Sequence, residues 1–176
     1  MSFAIQNPKS KIQNLFLVGF MASGKTTVGR ALAEMLSVPF IDLDEEIERA
    51  AGCTIAEMIQ HQGEAAFRQM ETECLRQAAT QKAAVISLGG GAFLQAVNRE
   101  LILQAGVSVW LDAPFALCWE RIQRDAVVRP LAPTEADARA RYEQRILIYG
   151  VAQVRIKIQA AEAAEAIATR ILSEFS

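Results

Sequence analysis

The octapeptide Gly19-Phe20-Met21-Ala22-Ser23-Gly24-Lys25-Thr26 limits what this chain can fold into more than any other stretch of it. It fits G-x-x-x-x-G-K-[ST] and stands between a short apolar run, Asn14 to Val18, and a segment from Thr26 to Ser37 with apolar residues near a helical period. A strand, a glycine-rich turn and a helix in that order form a cradle for phosphate. Successive backbone N–H groups point at phosphate oxygens, and the helix N-terminus adds positive potential. Lys25 reaches the β- and γ-phosphates, and the Thr26 hydroxyl suits Mg2+. An ordinary strand-to-helix turn would explain neither side chain. Ala22, Ser23, Gly24, Lys25, Thr26 and Thr27 are therefore the candidate nucleotide-binding residues. The asparagines, Asn7, Asn14 and Asn98, form no Asn-Lys-x-Asp guanine-reading motif, which favours ATP over GTP.

The alternation that begins at this loop continues along the chain. Strands are predicted at Pro39 to Leu43, Ala84 to Leu88, Val107 to Leu111 and Val154 to Ile158, in addition to Asn14 to Val18. Helical patterns lie at Asp44 to about Ala79 with an interruption near Gly52, and at Asn98 to Gln104, Pro114 to Arg124 and Glu162 to Phe175. Strands separated by helices predict an α/β fold, a parallel sheet covered on both faces, with ligands beyond the carboxyl ends of the strands. The Arg- and Pro-bearing segment Arg124 to Asp137 has weak periodicity and reads as a lid. A chain of 176 residues is expected to form a single domain over 1–176.

Charge narrows the partners. Eighteen Lys and Arg nearly balance twenty Asp and Glu, which points to a small-molecule substrate and away from nucleic acid or a membrane surface. Cys53, Cys74 and Cys118 are widely spaced and unpaired by motif, so they read as buried small hydrophobes. His61 reads as a surface residue beside a helix irregularity. With no apolar run of membrane-spanning length and no secretory pattern in MSFAIQNPKSK, a cytoplasmic protein is expected.

Phe40-Ile41-Asp42-Leu43-Asp44 carries two carboxylates two residues apart at a predicted strand end, a spacing that puts both on one strand face. Beside a phosphate loop, one acid can serve a metal while the other accepts the proton of an attacking hydroxyl. Capping of the helix that follows is the competing role. Asp112, which closes VSVWLD, is a rival for the metal.

Taken together, GFMASGKTTVGRALA, FIDLDEEIE, GEAAFRQME, SLGGGA, RPL and Arg145-x-x-x-Tyr149 resemble the shikimate kinase family in order and approximate spacing, from about Leu15 to Tyr149. The resemblance implies a five-stranded sheet of order 2-3-1-4-5 and a helical substrate-binding region around residues 44–71. It implies transfer of the γ-phosphoryl group of ATP to the 3-hydroxyl of shikimate, a step of aromatic amino acid biosynthesis, with Mg2+ present and the protein a monomer. Carried onto matching positions, it makes Asp44, Arg68, Gly90 and Arg145 substrate contacts. Lys25, Asp44 and Arg129 become the catalytic residues, with Arg129 a lid arginine on the phosphates, and Thr26 with Asp42 the metal pair. Two arginines on one carboxylate would fix the position and rotation of a ring acid through fork-shaped hydrogen bonds. From its own surroundings Arg68 reads instead as a solvated helix-face charge, and Glu71 either orients it or decorates the helix. A sister kinase for another hydroxy acid such as gluconate, and a non-catalytic ATP-binding module, are the alternatives.

The chain departs from the family pattern at three places. Ala22 stands where glycine is common, a neutral change provided its backbone is not left-handed. Arg145-Ile146-Leu147-Ile148-Tyr149 lacks the usual proline, which loosens the placement of Arg145. Gln159-Ala160 replaces a Thr-Asp pair, leaving Arg121 or Arg124 as candidates to stack on adenine.

Overall fold

The computed structural model describes residues 13–124 and 134–175. Five parallel strands form one sheet: β1 (Asn14–Val18), β2 (Phe40–Asp42), β3 (Val85–Ser87), β4 (Gly106–Asp112) and β5 (Val154–Lys157). Their spatial order is β2-β3-β1-β4-β5, as expected. β1 lies centrally, with Leu15 opposite Val85 on one side and Val107 on the other. All five of its residues are buried, as a parallel strand covered on both faces requires.

The helices described are α1 (Lys25–Leu36), α2 (Leu43–Ala51), α3 (Ile55–Ala79), α4 (Ala96–Ala105), α5 (Phe115–Arg124), α6 (Glu135–Tyr149) and α7 (Ala164–Ser173). A 3-10 turn covers Ala92–Leu94. The helical stretch expected from Asp44 to Ala79 divides at Gly52, whose left-handed backbone (φ 69°) ends α2. Thr54 then starts α3 with a capping box, its hydroxyl accepting from Glu57 N while the Glu57 carboxylate accepts from Thr54 N.

The helix α6 was not expected from the hydrophobic pattern. Its inward residues are Ala138, Tyr142, Arg145 and Tyr149, a faultless helical spacing. Three of the four carry a charge or a hydroxyl beside their bulk, and Leu147 and Val151 are exposed instead, so apolar periodicity is blurred. The legible signal lay in the cap: Thr134 accepts from Asp137 N, and Glu135 pairs with Arg139 one turn later. With leucine at 147 in place of the usual proline, the helix runs unbroken through Tyr149.

Cys74 and Cys118 are buried in the core and Cys53 is half-buried, all three as free thiols. His61 is exposed, two residues before a non-helical Gly63.

Candidate active site

The loop Gly19–Thr26 joins β1 to α1, and Gly24 (φ 101°) supplies the turn into the helix. Lys25 is buried and its ammonium curls back over the loop, donating to Gly19 O at 3.0 Å and Phe20 O at 2.9 Å. Ser23 Oγ is buried without a hydrogen-bond partner among the described residues. Ala22 is left-handed (φ 58°), so the condition under which it would be neutral is not met. Its carbonyl accepts from Arg121 Nη1 at 3.1 Å, which ties the loop to α5. An L-residue in this region is strained where glycine is not. Ala22→Gly is expected to stabilise the protein by about 0.5–1 kcal/mol, read as a higher midpoint in urea unfolding.

A cleft of about 570 Å³ opens over the loop. One wall is formed by Asp42, Asp44 and the segment Ser87–Gly90, and the far end by Arg121, Glu162, Ala164 and Ile167. Asp42 ends β2, and Asp44 already belongs to α2, so the two do not share a strand face as their spacing suggested. They meet at the cleft because the chain turns between them. Asp42 takes the capping role considered for it and also meets the phosphate loop. Its Oδ1 accepts from Asp44 N at 3.1 Å as the helix cap, and its Oδ2 accepts from the Thr26 hydroxyl at 2.8 Å. Asp112 is held by Arg155 through Nε at 2.9 Å and Nη2 at 2.6 Å and does not line the cleft, which removes it as the rival carboxylate. Arg124 is exposed and pairs with Glu120, leaving Arg121 as the arginine at the cleft's far end.

Gly89, Gly90 and Gly91 gather three elements around one turn. A Cβ on Gly89 would stand 2.5 Å from Asp44 Oδ1 and 3.4 Å from Glu71 Oε1. On Gly90 it would lie 3.1 Å from Arg145 Nη1, and on Gly91 it would overlap the Arg68 guanidinium. Arg145 is buried on α6, and Arg68 is part-buried on α3. Arg68 Nη1 donates to Glu71 Oε1 at 3.0 Å and Oε2 at 2.8 Å, and Nη2 donates to Glu64 Oε1 at 3.1 Å. Gln95 Nε2 adds a contact to Glu71 Oε2 at 3.3 Å. The orienting role open to Glu71 in the sequence is thus the geometry found. Tyr149, fully buried, donates its hydroxyl to Gly90 O at 2.5 Å. Neither this anchor nor the crowding at Gly89 and Gly91 was legible beforehand, although Arg145 and Tyr149 at i and i+4 share a helix face.

Electrostatics follows from the same packing. Burial, reinforced by the Asp42 charge, pushes the Asp44 carboxyl up to about 6 against the pull of Lys25. Burial raises Glu71 against the lowering effect of Arg68, and it pushes the Tyr149 phenol up to about 12, keeping it a hydrogen-bond donor. Gly91→Ala is expected to displace the Arg68 guanidinium, raising the KM of a carboxylate substrate on the order of 10- to 100-fold while the KM of ATP stays unchanged. Arg129 lies outside the described residues.

The family model for shikimate kinase matches residues 21–176. A shikimate kinase of Ruegeria pomeroyi is 40% identical over 164 residues, covering 92% of this chain and 84% of that protein. One of Synechococcus elongatus is 43% identical over 162 residues, 90% of this chain and 84% of the relative. Among solved structures, the shikimate kinase from Acinetobacter baumannii in complex with shikimate superposes with a TM-score of 0.86 at 42% identity, covering 92% of each chain. A gluconokinase from Sinorhizobium meliloti, at 16% identity, TM-score 0.55 and coverage of 93% and 91%, shares the fold alone. With a phosphate loop in its expected place and relatives of this similarity along most of its length, the chain belongs to the shikimate kinase family of ATP-dependent small-molecule kinases.

Proposed function

We propose that this protein transfers the γ-phosphoryl group of ATP to the 3-hydroxyl of shikimate, giving shikimate 3-phosphate and ADP. The observation that carries the proposal is the gathering of Asp44, Arg145 and Arg68 on successive glycines beside the phosphate loop. A carboxylate base and two guanidinium groups in that arrangement suit a ring acid bearing a hydroxyl, and the 42%-identical Acinetobacter structure holds shikimate.

In this reading the N–H groups of Ala22 to Thr27 cradle the phosphates, and the buried Ser23 hydroxyl gains a phosphate oxygen as its missing partner. Lys25 leaves the Gly19 and Phe20 carbonyls for the β- and γ-phosphates. Arg145 and Arg68 clamp the carboxylate of the acid, Gly90 lets the ring approach backbone, and Asp44 accepts the hydroxyl proton. Arg129 completes the charge on the phosphates from a lid over about 124–137, with residues 44–71 as the acid-binding region of a single domain. Phosphoryl transfer has a loose transition state, so alignment and charge neutralisation supply most of the catalysis.

Mg2+ is proposed at the phosphate loop. Thr26 Oγ1 and Asp42 Oδ2, in contact at 2.8 Å, are an oxygen pair at the loop, and this ion binds through one or two such groups together with phosphates and water rather than in an all-protein cage. When bound it would supply positive charge to the phosphate oxygens. Among the described residues no helix is long and apolar enough to cross a membrane; a cytoplasmic monomer is proposed from family membership.

Coupled measurement of ADP release with Mg-ATP against shikimate, gluconate, quinate and nucleoside monophosphates tests the substrate. Saturable turnover on shikimate at a kcat/KM well above the others is expected. Preference for gluconate would replace this reading with a sister kinase, and turnover on none would leave a binding module.

A further inference from the structure

Arg68 is held by two carboxylates of opposite character. Glu71 is completely buried, accepts two hydrogen bonds from Nη1, and takes a third from Gln95 Nε2. Glu64 is about half exposed at 53% and takes one bond from Nη2. It follows Gly63, where α3 leaves helical geometry (φ 85°, ψ 164°). Nothing lies within 4 Å of where a Gly63 side chain would begin, so glycine is required there by the backbone turn alone. Glu64 thus opens the second half of α3 at an exposed break, one turn before Arg68.

We propose that Glu64 is a place-holding carboxylate, which engages Arg68 and is displaced by the carboxylate of the arriving acid. The inference rests on the assignment of Arg68 to that carboxylate. A guanidinium has five N–H donors. Glu71 engages Nη1 through both of its oxygens, and Glu64 takes a donor on Nη2, the nitrogen that an incoming carboxylate must share for a fork-shaped contact. Charge gives the same answer. Glu71, Glu64 and Asp44 already place three carboxyl groups around Arg68 and Arg145, and a fourth carboxylate binds more readily once one of them withdraws. Glu71 is sealed from solvent and Asp44 lies in the cleft, whereas Glu64 can swing into water. The place-holder keeps the arginine extended toward the glycine turn until the acid arrives. It makes acid binding weaker than the two arginines alone would allow.

The effect has a sign that a merely structural helix pair would not give. Glu64→Gln is expected to tighten shikimate about two- to fivefold, the range set by an exposed ion pair, in both equilibrium Kd and KM. The kcat and the KM of ATP stay unchanged. Glu64→Ser, which removes the charge with a shorter side chain, is expected to tighten it likewise. The methyl ester of shikimate, lacking the anionic carboxylate, gains nothing in either variant. Unchanged or weakened shikimate binding in both variants, or an equal gain for the ester, overturns the proposal. Failure of the unsubstituted protein to bind shikimate would instead remove the assigned substrate, and this inference with it.

Discussion

Asp44→Asn is expected to lower kcat with shikimate by about 10²- to 10⁴-fold, the range for loss of a positioned general base, and to make the nucleotide-free protein more stable at neutral pH. Both effects have one origin. Asp44 sits in the cleft wall beside Asp42, where burial and that neighbouring charge raise it from 3.8 to about 6. A carboxyl raised in the fold binds its proton more tightly folded than unfolded, so stability falls as pH climbs through about 4 to 6 and the full cost is present above that window. Asparagine keeps the shape and removes the charge, which is expected to return about 1–3 kcal/mol at pH 7 and nothing at pH 3.5. Urea unfolding of both proteins at the two pH values checks the stability arm, and steady-state kinetics the catalytic one. A variant no more stable at pH 7 than the unsubstituted protein would show that Asp44 carries no such cost.

On its proposed role as a clamp on the acid's carboxylate, Arg145→Ala is expected to raise the KM of shikimate by about two to three orders of magnitude, with the KM of ATP unchanged. Arg145 is only 7% exposed, and its guanidinium lies 5.9 Å from the Phe20 ring and against Gly90. Its position follows from Tyr149 one turn later, whose hydroxyl pins the Gly90 carbonyl. Arg145→Lys restores charge without the planar fork, so most of the loss is expected to persist. Varying each substrate in turn separates the two KM values. An unchanged KM for shikimate would mean that Arg145 does not touch the acid.

These two residues also show what sequence can and cannot convey. The phosphate loop was fully legible, since its function is local: eight consecutive residues between a strand and a helix contain the whole device. The sheet order followed from the family resemblance, and each strand from a short apolar run. Asp44 lines the cleft, but its spacing from Asp42 suggests a shared strand face where the chain has already entered α2. The convergence on Gly89 to Gly91 was beyond local pattern. Its members come from α2, α3 and α6, and only tertiary packing brings a guanidinium against each of two successive glycines. The helix α6 is hidden from apolar periodicity since its inward stripe contains Tyr142, Arg145 and Tyr149, whose polar ends are turned to the site or beside it. Ala22 was readable as an oddity in the loop, but the sign of its effect needed a backbone angle.

Phosphorus NMR of the reaction with Mg-ATP and shikimate reads the destination of the phosphoryl group. Stoichiometric ADP and one new phosphomonoester resonance, coupled to the proton on C3 of shikimate, are expected. ADP with inorganic phosphate and no ester, or an ester at another hydroxyl, would contradict transfer to the 3-hydroxyl.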